Sequence, residues 1–225
     1  MLLFERVQIM AKSDETKQKI FEAALGLFRT QGFDSTTMRE IAREAGVATG
    51  AAYYYYESKD AIVMDFYGRA NEEMQPKLAA ALDRARSLDD RIRSVIGIKV
   101  EQFAPNRTIL RALLRNGADP KHPLSPFSEA TKEIRDIDIG WFRRVLEGTR
   151  VPRDLEAALP GVLWFFQMGV IFFWVVDESP KQARTTALLA AAAKSAASLI
   201  RLSGLPLMRP VRKTALNIIA LVAGE

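Results

Sequence analysis

Four tyrosines stand in a row, Tyr53 to Tyr56, and Lys59 follows three residues later. Just upstream lie the small residues Ala48, Thr49, Gly50, Ala51 and Ala52, and further back a pair of threonines, Thr36 and Thr37. Hydroxyl and ammonium donors at this density suit phosphate oxygens. A helix free of bulk at its start suits close approach to base edges in a major groove. Four consecutive tyrosine hydroxyls cannot all be buried comfortably, so some must point outward. Other chemistries are closed off. There is no cysteine, which removes disulfides, thiolate nucleophiles and cysteine-ligated metals, and which suits a reducing cytoplasm. His122 is the single histidine, so no His–His metal pair forms within one chain. It sits in a proline-rich loop and reads as a solvated side chain. No nucleophile–base pair or phosphate-cradling loop is legible, so neither an enzyme nor a cofactor or metal site is expected.

These residues need elements to hold them. Ile20, Ala24, Leu27 and Phe28 share one helical face, and Gly32 follows where a left-handed cap is expected. Thr37-Met-Arg-Glu40 has capping-box spacing and opens a second helix that buries Met38, Ile41, Ala42 and Ala45 and stops at Gly46. A third short helix runs from about Thr49 to Tyr55. Two short helices meeting at Ala45-Gly46-Val47 on a three-helix core make a helix-turn-helix. Glycine at 46 permits the positive φ such a turn requires.

Residues 17–62, about a fifth of the chain, resemble the tetracycline-repressor (TetR) family. The resemblance is carried by Leu27-Phe28, Gly32, Thr36-Thr37, Ile41-Ala42, Ala45-Gly46-Val47, Gly50, Tyr53, Tyr55-Tyr56 and Lys59. It implies that Thr36 or Thr37, with Tyr53, Tyr54 and Lys59, contacts phosphates. Thr49, Gly50 and Ala51 would face base edges, while Ile41 and Tyr56 would be core. Two positions depart from the family pattern. Ala48 replaces the usual serine, so the third helix loses a cap worth about 1 kcal/mol, unless Thr49 caps it and shifts its start by one. Ala51 replaces a common threonine. Both changes strip hydrogen-bonding groups from the reading helix, which shifts readout toward methyl contacts and DNA shape.

Beyond Ser58 the periodicity predicts helices from Lys59 into the eighties, then at about 89–103, 108–116, 129–148, 153–176, 181–203 and 211–222, with a loop over 117–128 around Pro120, Pro123 and Pro126. The fold class is therefore all-α. The expected division is a helix-turn-helix DNA-binding domain at 10–62 and a ligand-binding and dimerisation domain at 63–225. Residues 157–176 carry no charge. At about 1.5 Å per residue that stretch could cross a bilayer. Pro160, Gln167 and the lack of flanking basic anchors favour a helix buried in protein, so no membrane partner is expected. Its aromatics, with one polar Gln167, describe either core and interface or an apolar ligand pocket. The pocket would be lined by Trp164, Gln167, Met168 and Ile171 and bounded by Phe103, Phe127 and Trp141. An uncharged effector is expected, because the segment offers no charge to pair with an ion. The alanine-rich helix near 181–203 offers a small-residue face, and the resemblance implies that the last two major helices build a homodimer.

The net charge of +5 is distributed against a simple electrostatic argument. Residues 1–60 carry 8 basic and 9 acidic side chains, and residues 61–225 carry 24 and 18. The expected partners, operator DNA and a small apolar ligand, therefore rest on local chemistry. The start of the chain is not read as a signal peptide, because Glu5 and Arg6 break its apolar run. Met10 reads as a second start, making residues 1–9 an upstream extension or a disordered arm. Arg201, Arg209, Arg212 and Lys213 form a basic tail, read as a solvated face or as a surface for an acidic partner or a membrane.

Overall fold

Thr37 and Glu40 close a capping box in both directions. The Glu40 amide donates to Thr37 Oγ1 at 3.2 Å, and the Thr37 amide donates to Glu40 Oε2 at 2.8 Å. That start, a turn through Gly32 at φ +91° and another through Gly46 at φ +68° fix the first three helices. The computed structural model describes residues 2–115, 117 and 119–223, with 2–11, 115, 222 and 223 described by backbone alone. Among the described residues every regular element is helical. The ten α-helices are α1 (Leu2–Thr30), α2 (Met38–Glu44), α3 (Thr49–Tyr55), α4 (Lys59–Arg84), α5 (Leu88–Phe103), α6 (Arg107–Arg115), α7 (Lys132–Leu146), α8 (Leu159–Val176), α9 (Ala183–Ser203) and α10 (Arg209–Ala223).

The helices gather into two compact units. The first holds the residues up to Ala70 together with Pro105–Lys132; the second holds Asn71–Ala104 and everything from Glu133. α4 runs through the boundary between the two units, and α6 belongs with the first. In the first unit α1 packs on α2, α3 and α6, and α2 packs on α3. Its core includes Ile20, Ala24, Phe28, Ile41, Ala42 and Ile62. Arg29, at the end of α1, donates to the buried Asn106 at 2.8 Å. In the second unit α5 lies against α9 and α8, and α8 lies against α9. Ile92, Ile96, Phe142, Trp174, Ala193 and Ala197 are among its most buried residues.

Several starts differ from the sequence reading. α8 begins at Leu159 and not near Arg153, with Pro160 in its first turn, where a missing N–H costs nothing. α7 begins at Lys132, because Ser125, Ser128 and Thr131 tie the preceding residues into turns through their hydroxyls. α9 begins at Ala183, after two successive non-glycine residues in left-handed backbone, Lys181 at φ 53° and Gln182 at φ 51°. Such conformations cost on the order of 1–3 kcal/mol each. The buried Asp177 offsets this by accepting from the amides of Ser179 at 3.0 Å and Thr185 at 2.8 Å and from the Thr185 hydroxyl at 2.7 Å. Ala45, expected in the core, is the half-buried C-cap of α2. Residues 2–9, expected as an extension or an arm, continue the backbone of α1; Met1 lies outside the described residues.

Candidate functional site

α3 is a seven-residue helix without a charge, and it buries only Ala52. Its N-cap is Ala48, which gives no side-chain hydrogen bond, so Thr49 is the first helical residue and does not cap. Thr49 and Gly50 are exposed and Ala51 is half-buried, which leaves the start of the helix small and open. Tyr53 and Tyr54 point outward, at 52% and 82% exposure. Tyr55 leans on Tyr54 edge to face, and its hydroxyl donates to Ser13 at 3.3 Å. Tyr56 turns inward and is buried. The tyrosine run therefore divides as the burial argument requires, two outward and one fully inward.

A polar hub holds the end of α3. Tyr56 donates its hydroxyl to Asp65 on α4 at 2.5 Å. Asp65 also pairs with Arg69 at 3.0 Å and lies 3.6 Å from Lys17 of α1. Arg69 stacks over Phe21 and bonds Gln18, so α1, α3 and α4 meet at one carboxylate. Burial pushes the Asp65 carboxyl up, but the bonds from Arg69 and Tyr56 and the two cations outweigh it and hold it below the usual range. Burial and the same Asp65 bond push the Tyr56 hydroxyl well above its ordinary value.

Two of the expected phosphate contacts are engaged inside the protein. Thr36 is 1% exposed. Its hydroxyl donates to the Gly32 carbonyl at 2.7 Å and accepts from Gln31. Lys59 folds back, donating to the Phe33 carbonyl at 2.6 Å, with its ammonium 4.5 Å from the centre of the Phe33 ring. Both residues brace the turn between α1 and α2. Thr37, Thr49, Gly50, Ala51, Tyr53 and Tyr54 remain on the outside of the same unit.

The second unit brings together most of the expected ligand-binding residues. Phe103, Trp164, Gln167, Met168 and Ile171 are buried in it, and Trp141 is half-buried with the Arg144 guanidinium 4.6 Å from its ring centre. Phe127 belongs to the first unit. The polar centre is larger than the sequence reading expected. Gln167, 1% exposed, donates to Asp138 Oδ2 at 3.3 Å, and the same oxygen pairs with Lys99. α5, α7 and α8 thus share a buried ion pair and an amide. The neighbours of α8 supply a cation and a carboxylate that α8 itself lacks, and these are paired with each other. Lys99 and Asp138 were not singled out in the sequence. They stand 39 residues apart, and each reads alone as a surface charge on its own helix.

α8 and α9 also leave apolar faces uncovered. Val162, Phe165 and Val176 are exposed on α8, and Leu188, Leu199 and Leu202 on α9. α8 is long and apolar enough to span a membrane by length and composition alone, yet half of it is buried within the protein. His122 is tied into its loop, with Nδ1 accepting from the Leu124 amide at 3.2 Å. Arg212 of the basic tail pairs with Asp154 at 3.0 Å and donates to the Ser203 carbonyl, so part of that tail serves the fold.

A three-helix helix-turn-helix unit followed by a larger helical unit defines a DNA-binding transcriptional regulator. Residues 20–65 match the family model for bacterial regulatory proteins of the tetR family, and residues 91–215 match the tetracyclin repressor-like C-terminal domain. The chain belongs to the TetR family. It is similar to the HTH-type transcriptional repressor BepR of Brucella suis, at 28% identity over 61% of this chain and 67% of that protein. Against other curated relatives it spans 23% to 42% of their length. Among solved structures it resembles a TetR-family regulator from Syntrophomonas wolfei, at TM-score 0.64 and 20% identity, over 82% of this chain and 96% of that one. It also resembles the regulator FadR of Bacillus subtilis in complex with stearoyl-CoA, at TM-score 0.61 and 16% identity, over 80% and 97%.

Proposed function

We propose that this chain is a cytoplasmic, ligand-responsive repressor that binds a palindromic operator as a homodimer and acts by binding, not catalysis. The observation that carries the reading is the outer surface of α3: small at its start, uncharged, and flanked by two outward tyrosines on a braced scaffold. Thr49, Gly50 and Ala51 face base edges, and Thr37, Tyr53 and Tyr54 reach phosphates. Thr36 and Lys59 act one step back, by holding the turn that sets α2 and α3. With few hydrogen-bonding groups on α3, sequence preference comes from methyl contacts and duplex shape.

Two copies meet through the exposed apolar faces of α8 and α9. Their α3 helices then enter successive major grooves about 34 Å apart. A small, mainly apolar effector enters the second unit among Phe103, Trp164, Met168 and Ile171 and is oriented by the Gln167–Asp138–Lys99 centre. FadR, which shares the fold, holds stearoyl-CoA, which supports a ligand-taking second unit here. An effector that prefers a dimer of different spacing lowers operator affinity by its differential binding, typically 1–3 kcal/mol. Selection from a random duplex library tests the reading. The expected result is one enriched palindrome whose affinity collapses when half a helical turn is inserted between its half-sites. No enrichment, or affinity indifferent to the insertion, would contradict it.

A further inference from the structure

α5 has two working faces. Ile92, Val95, Ile96, Lys99 and Phe103 are turned into the second unit. A different row, including Arg93, Gly97 and Glu101, lines an open cleft of about 580 Å³ whose other walls come from α4, the end of α8 and the start of α9. That volume is in the range of small-molecule sites. Gln167, Met168 and Ile171 do not line it, so it is separate from the effector centre.

The lining has two characters. Ile98, Trp174 and Leu189 make it apolar inside. A Cβ at Gly97 would meet no atom within 4 Å outside its own helix backbone, so the floor stands open above the helix. The rim is cationic: Arg84, Arg93 and Lys181 face a single acid, Glu101. Arg93 is paired with Asp90, while Arg84 donates to the Ala80 carbonyl, and no carboxylate pairs with Arg84 or Lys181 among the described residues. Lys181 and Gln182 reach this wall from left-handed backbone that the Asp177 bonds hold in place. Strain of this kind, kept at the edge of a cleft, points to a use for it.

We propose that this cleft is a separate binding site for a small amphipathic anion. The anionic group, a carboxylate, sulfonate or phosphate, sits between Arg84 and Lys181, and the apolar body lies over Gly97 and Ile98 toward Trp174. The proposal does not depend on the operator reading.

Calorimetric titration of the full chain with 4-phenylbutanoate and with 4-phenylbutan-1-ol tests it, because the two probes share an apolar body and differ in charge. The anion should bind at least tenfold more tightly at low salt, and the preference should shrink as salt screens the exposed cations. Arg84→Glu with Lys181→Glu should abolish the preference yet keep the alcohol's affinity, and both positions are exposed, so the fold should survive. Gly97→Leu, whose Cβ enters open space, puts an apolar side chain over the floor and should weaken both probes. Equal affinity for the two probes, no binding of either, or a preference that survives the charge reversals would overturn the proposal. So would loss of binding in Gln167→Leu together with indifference to Gly97→Leu.

Discussion

α3 and α8 are both helices without a single charge, and they put that neutrality to opposite uses. α3 is seven residues long and buries one of them. Its neutrality keeps the surface proposed to meet DNA free of carboxylates that would repel phosphates. α8 is eighteen residues long and buries ten, and its neutrality is the ordinary condition of a core helix. Polar side chains complete the contrast. The hydroxyls next to α3 divide between solvent and a braced scaffold, whereas the one amide inside α8 is held by a charge pair from two other helices. Composition therefore says little about the task of an uncharged helix; length and the partners of its flanking polar groups decide it.

The same carboxylate introduced into each helix should act in different ways. Phe165→Glu, on the uncovered face of α8, is expected to yield monomers in sedimentation equilibrium and to reduce operator affinity more than a hundredfold through loss of the second half-site. The monomer should stay helical by circular dichroism, because Phe165 is already 51% exposed. A dimer that persists would move the interface away from α8.

The next effect in size belongs to the buried pair. Lys99→Met leaves Asp138 without its cation and should cost about 3–5 kcal/mol in denaturant unfolding. Lys99→Met combined with Asp138→Leu should recover most of that loss, because an apolar replacement removes both desolvation penalties. Full destabilisation in the double variant would show that the pair does not act as a unit.

Smaller effects lie in the first unit. Tyr56→Phe removes a donor to Asp65 and should cost about 1–3 kcal/mol at neutral pH. The pH dependence sharpens this test. Asp65 is held below its ordinary range, so its contribution is complete above the unfolded carboxylate pKa near ~4 and fades as pH falls through the lower folded value. Tyr56 is held above its ordinary value, so its contribution is complete below about pH 10 and is lost only at higher pH. Tyr56→Phe should therefore flatten the acid limb of the stability profile, and an unchanged limb would assign the Asp65 shift to Arg69 and Lys17 alone. The smallest effect is the cap: Thr37→Ala should lower stability by about 1 kcal/mol.

Local chemistry was legible in the sequence where the deciding atoms are close in the chain. The Thr37–Glu40 box, the turns at Gly32 and Gly46, and the limits of α3 all follow from spacings of a few residues. The split of the tyrosine run follows from what a hydroxyl requires. Long-range partners were not legible. Lys59 turns to a carbonyl 26 residues earlier, and nothing in a lysine at that position distinguishes a brace from a phosphate contact. Thr36 and Thr37 look alike in sequence, and only the path of the chain after Gly32 buries the first and exposes the second. The Lys99–Asp138–Gln167 centre is assembled from three helices, so no window of sequence contains it. The start of α8 is not legible in the sequence, because a charged stretch before Pro160 continues the helical periodicity, whereas the proline fits only the first turn.

The most direct test of the account is fluorescence anisotropy of the selected palindrome with wild type and with Ala51→Glu, after circular dichroism has shown equal melting. Ala51 is half-buried at the small-faced start of α3, so the substitution adds a carboxylate to the surface proposed to face base edges and leaves the core intact. The account predicts at least a hundredfold loss of affinity with an unchanged melting temperature. Equal affinity for the palindrome would contradict it and remove α3 from the DNA interface.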